Sequence, residues 1–306
     1  MSRILDSVNK RTQLVGQNRL ELLLFKLNGR QRFGINVFKV KEVLQCPKLT
    51  CLPKLNSSVR GVAHIRGVTI SVIDLSAATG GRPIEDTTGC FIIISEYNRS
   101  VQGFLVRSVE RIINMNWEGI MPPPQGTGRY SYLTAVTEIE NELVEILDVE
   151  KILDEVSPAN TNISKELDEQ LTIDRDKHYH IMVIDDSSVA RKQIIRALSA
   201  LDLQIDTAKD GKEALSKLKA IALDMDNVAH EIPLIISDIE MPEMDGYTLT
   251  AEIRDDPKLK DIKVVLHTSL SGVFNQAMVE KVGANDFIAK FNPDELAGAV
   301  NKHLSI

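Results

Sequence analysis

Ile181-Met182-Val183-Ile184-Asp185-Asp186 is an apolar run of four that ends on two carboxylates, and Leu234-Ile235-Ile236-Ser237-Asp238 ends on a third. Short apolar runs separated by helical patterns read as parallel strands buried on both faces. The intervening chain supplies those patterns: an amphipathic helix over about 187–201, then Asp210-Gly211 opening another over 212–222. The βαβαβ alternation implies a doubly wound parallel sheet. Ligands in such sheets gather at the carboxyl ends of the strands, so the three carboxylates converge. Their mutual repulsion calls for a cation. An all-oxygen site with room for water and phosphate suits Mg²⁺.

Two later strand ends complete the constellation. Thr268 closes the apolar run 262–266, with His267 intervening, and Lys290 follows Phe287-Ile288-Ala289. The order Asp-Asp, then Asp238-Ile239-Glu240-Met241-Pro242-Glu243-Met244-Asp245-Gly246, then Thr, then Lys resembles a response-regulator receiver domain over about residues 178–306. The resemblance implies a five-stranded (βα)5 fold with Asp238 as phosphoacceptor. It implies Asp186 as the direct Mg²⁺ ligand beside Asp238, Asp185 as its support, and the backbone carbonyl of Glu240 as another oxygen donor. Lys290 would pair with phosphoryl oxygens and Thr268 would hydrogen-bond the phosphoryl group. Thr268 and Phe287 would form the switch. An Asp directly before a helix is more often an N-cap than a ligand; Asp186, before Ser187-Ser188, fits both roles. Asp245-Gly246 reads as a turn and helix start. Receivers usually carry proline after the lysine, often with a cis peptide, whereas here Phe291 follows and proline comes at Pro293. A cis bond before a non-proline residue costs about 2.5–4 kcal/mol, so the expectation is trans or a locally altered loop. Glu240 and Leu270 flank the path of attacking water in receivers and suggest a long-lived phosphoaspartate.

The 306 residues suffice for two domains with sizeable cores, and a 43% hydrophobic content is ordinary for a globular chain. A net charge of −7 argues against nucleic acid or an anionic membrane as the main partner. No apolar stretch approaches the roughly 20 residues that span a bilayer. The polar, mixed-charge start is no secretory signal, so the expected location is cytoplasmic. Cys46, Cys51 and Cys90 lie in the first half without a histidine at metal-ligand spacing, and read as reduced thiols rather than a zinc site.

The first half is strand-like. Leu22-Leu23-Leu24-Phe25 leads through the turn dipeptide Asn28-Gly29 to Phe33-Gly34-Ile35. Further strand patterns cover 69–75, 90–95, 101–106 and 143–147, with turns at Tyr97-Asn98-Arg99-Ser100 and Glu140-Asn141-Glu142. Helical pieces are expected at 37–44 and 148–153. Met121-Pro122-Pro123-Pro124 reads as a stiff loop. Many short strands with turn signals indicate a mainly β, barrel-like architecture. Gly61-Val62-Ala63-His64-Ile65-Arg66-Gly67 followed by Ile73-Asp74-Leu75, and Leu147-Asp148-Val149-Glu150-Lys151-Ile152-Leu153, resemble CheW-type coupling domains over about 15–155. His64 departs from the Asn often found there. The resemblance implies a double barrel that meets chemoreceptors and kinase, with Arg66 in the partner-binding region; a surface salt bridge is its plainer role.

The expected division is a CheW-like domain at 1–155, a polar linker at 156–177 with one or two helical turns within 163–171, and a receiver at 178–306. That architecture resembles the CheV family of chemotaxis coupling proteins. The family implies a cytoplasmic adaptor, recruited to receptor arrays, that links methyl-accepting chemoreceptors to a CheA-type histidine kinase and is tuned by phosphorylation of Asp238. It implies no turnover on an outside substrate and no direct membrane insertion. Two rival classes fit less well. A transcriptional regulator needs a DNA-binding module, and the β-rich half shows no helix-turn-helix spacing. A haloacid-dehalogenase-like hydrolase needs Asp two residues after its nucleophile, where this chain has Glu240.

Overall fold

The computed structural model describes residues 19–305 apart from 98–99, 117–118, 123–131, 159, 175–176, 269–278 and 280. These fall into two compact units, Arg19–Ala159 and Asn160–Ile306.

The first unit is built on β1 (Arg19–Lys26), β2 (Arg32–Asn36), β3 (Glu42–Gln45), β4 (Val59–Ile65), β5 (Val68–Asp74), α1 (Leu75–Ala78), β6 (Phe91–Tyr97), β7 (Ser100–Val106), β8 (Ser108–Asn116), β9 (Ile120–Met121), β10 (Leu133–Ile139), β11 (Glu142–Leu147) and α2 (Val149–Val156). The strands form a six-stranded sheet, β8-β1-β2-β11-β10-β9, and a five-stranded sheet, β3-β6-β7-β5-β4. Side chains alternate faces along a strand. On β1 that sends Leu20, Leu22 and Leu24 into one cluster with Val144 and Ile146. Leu23 and Phe25 enter another, shared with Ile73, Ile93 and Phe104 of the second sheet and Val149, Ile152 and Leu153 of α2. At the end of β5, Asp74 is fully buried. Its Oδ1 accepts from the backbone amides of Ser76 (2.9 Å) and Ala77 (3.2 Å), and its Oδ2 from that of Ile84 (2.6 Å).

One expectation fails here. Residues 37–44 are not a helix: a single 3-10 turn, Val37–Lys39, gives way to β3. The valine spacing suits a helix, but Val43 and Leu44 pair with Ile93 and Ile92 on β6 instead. Lys39 O accepts a 2.6 Å bond from Ser95 Oγ, which ends the helical turn. Strand propensity is decided by such cross-strand packing. The turn at Arg66-Gly67 joins β4 to β5 with both residues at positive φ (49° and 84°), the geometry of a two-residue hairpin loop. Glu140-Asn141 does the same between β10 and β11. Asn98 and Arg99 of the other turn, and Pro123 and Pro124, lie outside the described residues.

The second unit contains α3 (Lys165–Asp168), β12 (His180–Ile184), α4 (Ser188–Ala197), β13 (Gln204–Ala208), α5 (Gly211–Ile221), β14 (Leu234–Asp238), α6 (Gly246–Asp255), β15 (Lys263–Thr268), β16 (Asp286–Ala289) and α7 (Pro293–Leu304). All five strands are parallel, in the order β13-β12-β14-β15-β16. One face carries α5 and α6 over Ile184, Ile235 and Leu266. The other carries α4 and α7 over Val183, Ile236 and Val265. The order reverses between β12 and β14, which puts Asp185 and Asp238 side by side where open α/β sheets bind ligands. Ile163, Leu167, Leu171 and Ile173, ahead of β12, also pack on the α4–α7 side.

Candidate functional site

Four groups from three strand ends meet at the carboxyl edge of this sheet. Oxygens of Asp185, Asp186 and Asp238 all lie within 4.8 Å of one another. Lys290 Nζ is 2.7 Å from Asp185 Oδ2 and 2.9 Å from Asp238 Oδ2, with its side chain 9% exposed. Asp185 and Asp238 are buried, and Asp186 is partly exposed.

Local chemistry explains the placement. Asp185 Oδ1 accepts from Ser187 N at 2.9 Å, turning the chain out of β12. Ser187 then caps α4, its Oγ accepting from Ala190 N, so the capping role falls to Ser187 rather than Asp186. Asp238 Oδ1 accepts from Ile239 N at 2.8 Å, which leaves Oδ2 toward Lys290. Asp245 caps α6 by accepting from Thr248 N at 2.8 Å, as its turn-and-helix-start reading requires. A Cβ on Gly246 would sit 2.3 Å from the carbonyl oxygen of Asp238, so only glycine lets α6 begin this close to the strand end.

Burial pushes the Asp238 carboxyl well above the usual carboxylate range; Lys290 opposes that shift, and the charges of Asp185 and Asp186 add to it. Among the described residues three carboxylates face the Lys290 ammonium, and buried Asp185 Oδ2 makes an ion-pair contact with it without an aligned hydrogen bond. The donors are all hard oxygens, and the excess negative charge is largest where they converge. The residues present therefore fit a small divalent cation such as Mg²⁺.

The remaining expected residues divide. Glu240 follows Asp238 by two residues in the bend before α6. Thr268 ends β15 opposite Ala289, and its side chain lies outside the described residues, as does Leu270. Phe287 is half-buried and packs on the α5–α6 side. Arg66, far off in sequence on the β4–β5 turn, is 76% exposed and ion-paired with Glu42. The Lys290–Phe291 peptide is cis, where a trans bond or a locally altered loop was expected. Phe291 is buried, packed into the α4–α7 cluster with its ring 6.2 Å from that of His267, and this packing holds the residue after Lys290 inside the core.

Two residues escaped the sequence reading. Arg191 on α4 donates from Nη1 to the backbone carbonyls of both Asp185 and Asp186, pinning the acidic loop. Its signal was a cation one helical turn past the acidic pair. His267 is buried with both ring nitrogens unpartnered, and burial, reinforced by Lys290, holds it neutral. A polar residue interrupting the β15 apolar run was its signal. In the other unit Cys46, Cys51 and Cys90 are free, and burial raises the thiols of Cys46 and Cys90.

The chain thus joins two signalling modules: the family model of a CheW-like domain matches residues 21–157, and that of a response regulator receiver domain matches residues 181–301. Relatives align over nearly the whole of this chain and of their own. The chain is 30% identical to chemotaxis protein CheV3 of Helicobacter pylori over 93% of its own length and 94% of the relative's. It is 28% identical to CheV1 of the same organism over the whole of both chains, and 26% identical to CheV2 over 97% and 99%. The chain belongs to the CheV family of chemotaxis proteins.

Proposed function

We propose that this protein is a chemotaxis adaptor whose CheW-like half couples chemoreceptors to a CheA-type histidine kinase, and whose receiver half adjusts that coupling when Asp238 is phosphorylated. The observation that carries the reading is the meeting of Asp185, Asp186, Asp238 and Lys290 at the ends of three strands of one sheet, β12, β14 and β16. No helix among the described residues is long and apolar enough to cross a membrane. The protein works in the cytoplasm, at receptor arrays, through Arg66 and neighbouring surface of the first unit.

In the phosphorylation step a carboxylate oxygen of Asp238 attacks the phosphorus of the kinase phosphohistidine. The O–P bond forms as the P–N bond breaks, and the released imidazole nitrogen takes a proton from solvent. Mg²⁺, held by Asp186 and Asp238 with support from Asp185 and the Glu240 carbonyl, would offset charge on the transferring group. Lys290 follows the phosphoryl oxygens as a compact cation, and Thr268 donates its hydroxyl to them. Arg191 fixes the loop that presents the carboxylates. Thr268 and Phe287 then shift together, a population change driven by the new charge at Asp238. Asp238 is consumed and regenerated by hydrolysis, so the receiver acts on itself and not on an outside substrate.

The test is phosphotransfer from labelled kinase to the full chain and to Asp238→Asn. The wild type should take up acid-labile label in a Mg²⁺-dependent way and the variant none. Persistent labelling of the variant would sink the assignment.

A further inference from the structure

The segment between the two modules is held on the receiver along the length of α7. Ile163, Leu167 and Leu171 are half-buried, and Ile173 is 6% exposed, within the cluster that also holds Ile194 of α4 and Val300 of α7. Polar anchors mark both ends. Asp294 Oδ1 accepts from the backbone amide of Ser164 at 2.7 Å. Asn301 Oδ1 accepts from the amides of Thr172 (2.8 Å) and Ile173 (2.9 Å). Asp294 and Asn301 are seven positions apart, which places them on one side of the helix about two turns from each other. Apolar burial between two specific anchors distinguishes a docked peptide from a solvated tether.

The acceptor for Ser164, Asp294, stands close in the chain to the lysine of the phosphorylation site. Lys290, which bridges Asp185 and Asp238, is four residues before Asp294. Little slack lies between them: Phe291 is buried, Asn292 caps α7 by accepting from Asp294 N at 3.0 Å, and Pro293 opens the helix. A phosphoryl group on Asp238 places its charge beyond Oδ2, so Lys290 must move outward to stay paired with it. That displacement reaches the first turn of α7 directly, while Asn301 is two turns removed.

We infer that residues 163–173 are a strap bound in cis to the α4–α7 face, and that phosphorylation of Asp238 loosens its Ser164 end through Lys290 and Asp294 while the Asn301 end stays fastened. The inference rests on Asp238 being the phosphoacceptor. It gives the receiver a direct handle on the chain that connects it to the CheW-like domain.

The experiment is amide hydrogen exchange on the full chain, with and without acetyl phosphate and Mg²⁺. Phosphoryl mass on the peptide containing Asp238 is read in the same sample. At rest the amides of Ser164, Thr172 and Ile173 should all be protected. With label present, Ser164 should exchange at least about tenfold faster, the scale of one hydrogen bond to a charged acceptor, while Thr172 and Ile173 change little. Asp294→Ala should give the fast Ser164 pattern without any phosphoryl donor. Asp294→Asn, which keeps an acceptor oxygen, should retain protection. Unprotected amides at all three positions in the resting protein would overturn the strap. Full labelling with unchanged Ser164 exchange would overturn the coupling and leave the phosphoacceptor reading intact. Absence of label on Asp238 would overturn that reading and the coupling with it.

Discussion

Asp74 and Asp238 are both the last residue of a strand, and both carboxylates are buried, yet they do opposite work. Asp74 accepts three backbone amides, spread over both oxygens. Its hydrogen-bonding capacity goes into ordering the turn into α1 and the chain at Ile84, and it faces no second carboxylate in the described contacts. Asp238 accepts one backbone amide and shares a lysine with Asp185 inside an acidic cluster. A buried carboxylate satisfied by backbone amides is a structural element. One left with excess negative charge beside it is a site awaiting a cation or a phosphoryl group.

The contrast is easiest to break by substitution at the two positions. Asp238→Asn should remove all phosphoryl label from a CheA-type donor while circular dichroism shows the fold retained. Asp74→Ala should leave labelling intact and cost about 3–5 kcal/mol in chemical denaturation, since three amides lose their acceptor. A stable Asp74→Ala protein would mean that the amides find water and that Asp74 is dispensable.

The receiver's margin should depend on residues outside the sheet. A fragment beginning at residue 177 should be about 3 kcal/mol less stable to urea than one beginning at 160, because it lacks the apolar side chains of 163–173 that are buried against the receiver. Equal midpoints would show that those side chains add nothing.

A smaller effect lies in the pH dependence of the receiver. Burial raises the folded-state pKa of Asp238, so above the ordinary carboxylate value the native receiver retains a proton that the unfolded chain has released. In chelator, receiver stability should therefore fall as pH rises from about 4 through the raised value. Mg²⁺ should reverse the loss, and Asp238→Asn should flatten the profile, gaining about 1 kcal/mol at neutral pH. A thermal midpoint that is insensitive to both chelator and pH would contradict this. Least costly of all is Arg66→Ala: an exposed ion pair contributes about 0.2–1 kcal/mol, so stability should barely move. Co-sedimentation with receptor–kinase arrays should fall instead, and unchanged co-sedimentation would reduce Arg66 to its pairing with Glu42.

The receiver was legible because its strands are buried on both faces and four strand ends together carry the residue types that a phosphoacceptor site needs. Ile181 to Ile184 could be placed from composition, and Asp185 and Asp186 from position. The first half was less legible. β4, β8 and β10 were not anticipated, since Arg60, His64, Glu110, Arg111 and Glu138 interrupt their apolar pattern. At 37–44 the valine spacing mimics a helix, and only the neighbouring β6 decides for a strand. Asp74 was quoted within a motif, but its three amide donors include one ten residues away, which no local pattern announces. The segment ahead of β12 did carry a signal, since Ile163, Leu167 and Leu171 recur every fourth residue, but its polar surroundings suggested a free linker.

That segment also decides where such proteins can recombine. A crossover inside 163–177 would hand an incoming receiver a belt cut for another helix, with Ser164 and Thr172 facing side chains that need not accept their amides. A crossover within 157–162, between α2 and the half-buried Ile163, transfers receiver and belt as a matched pair. Viable chimaeras selected from a shuffled gene library should therefore share their junctions in that window of six residues.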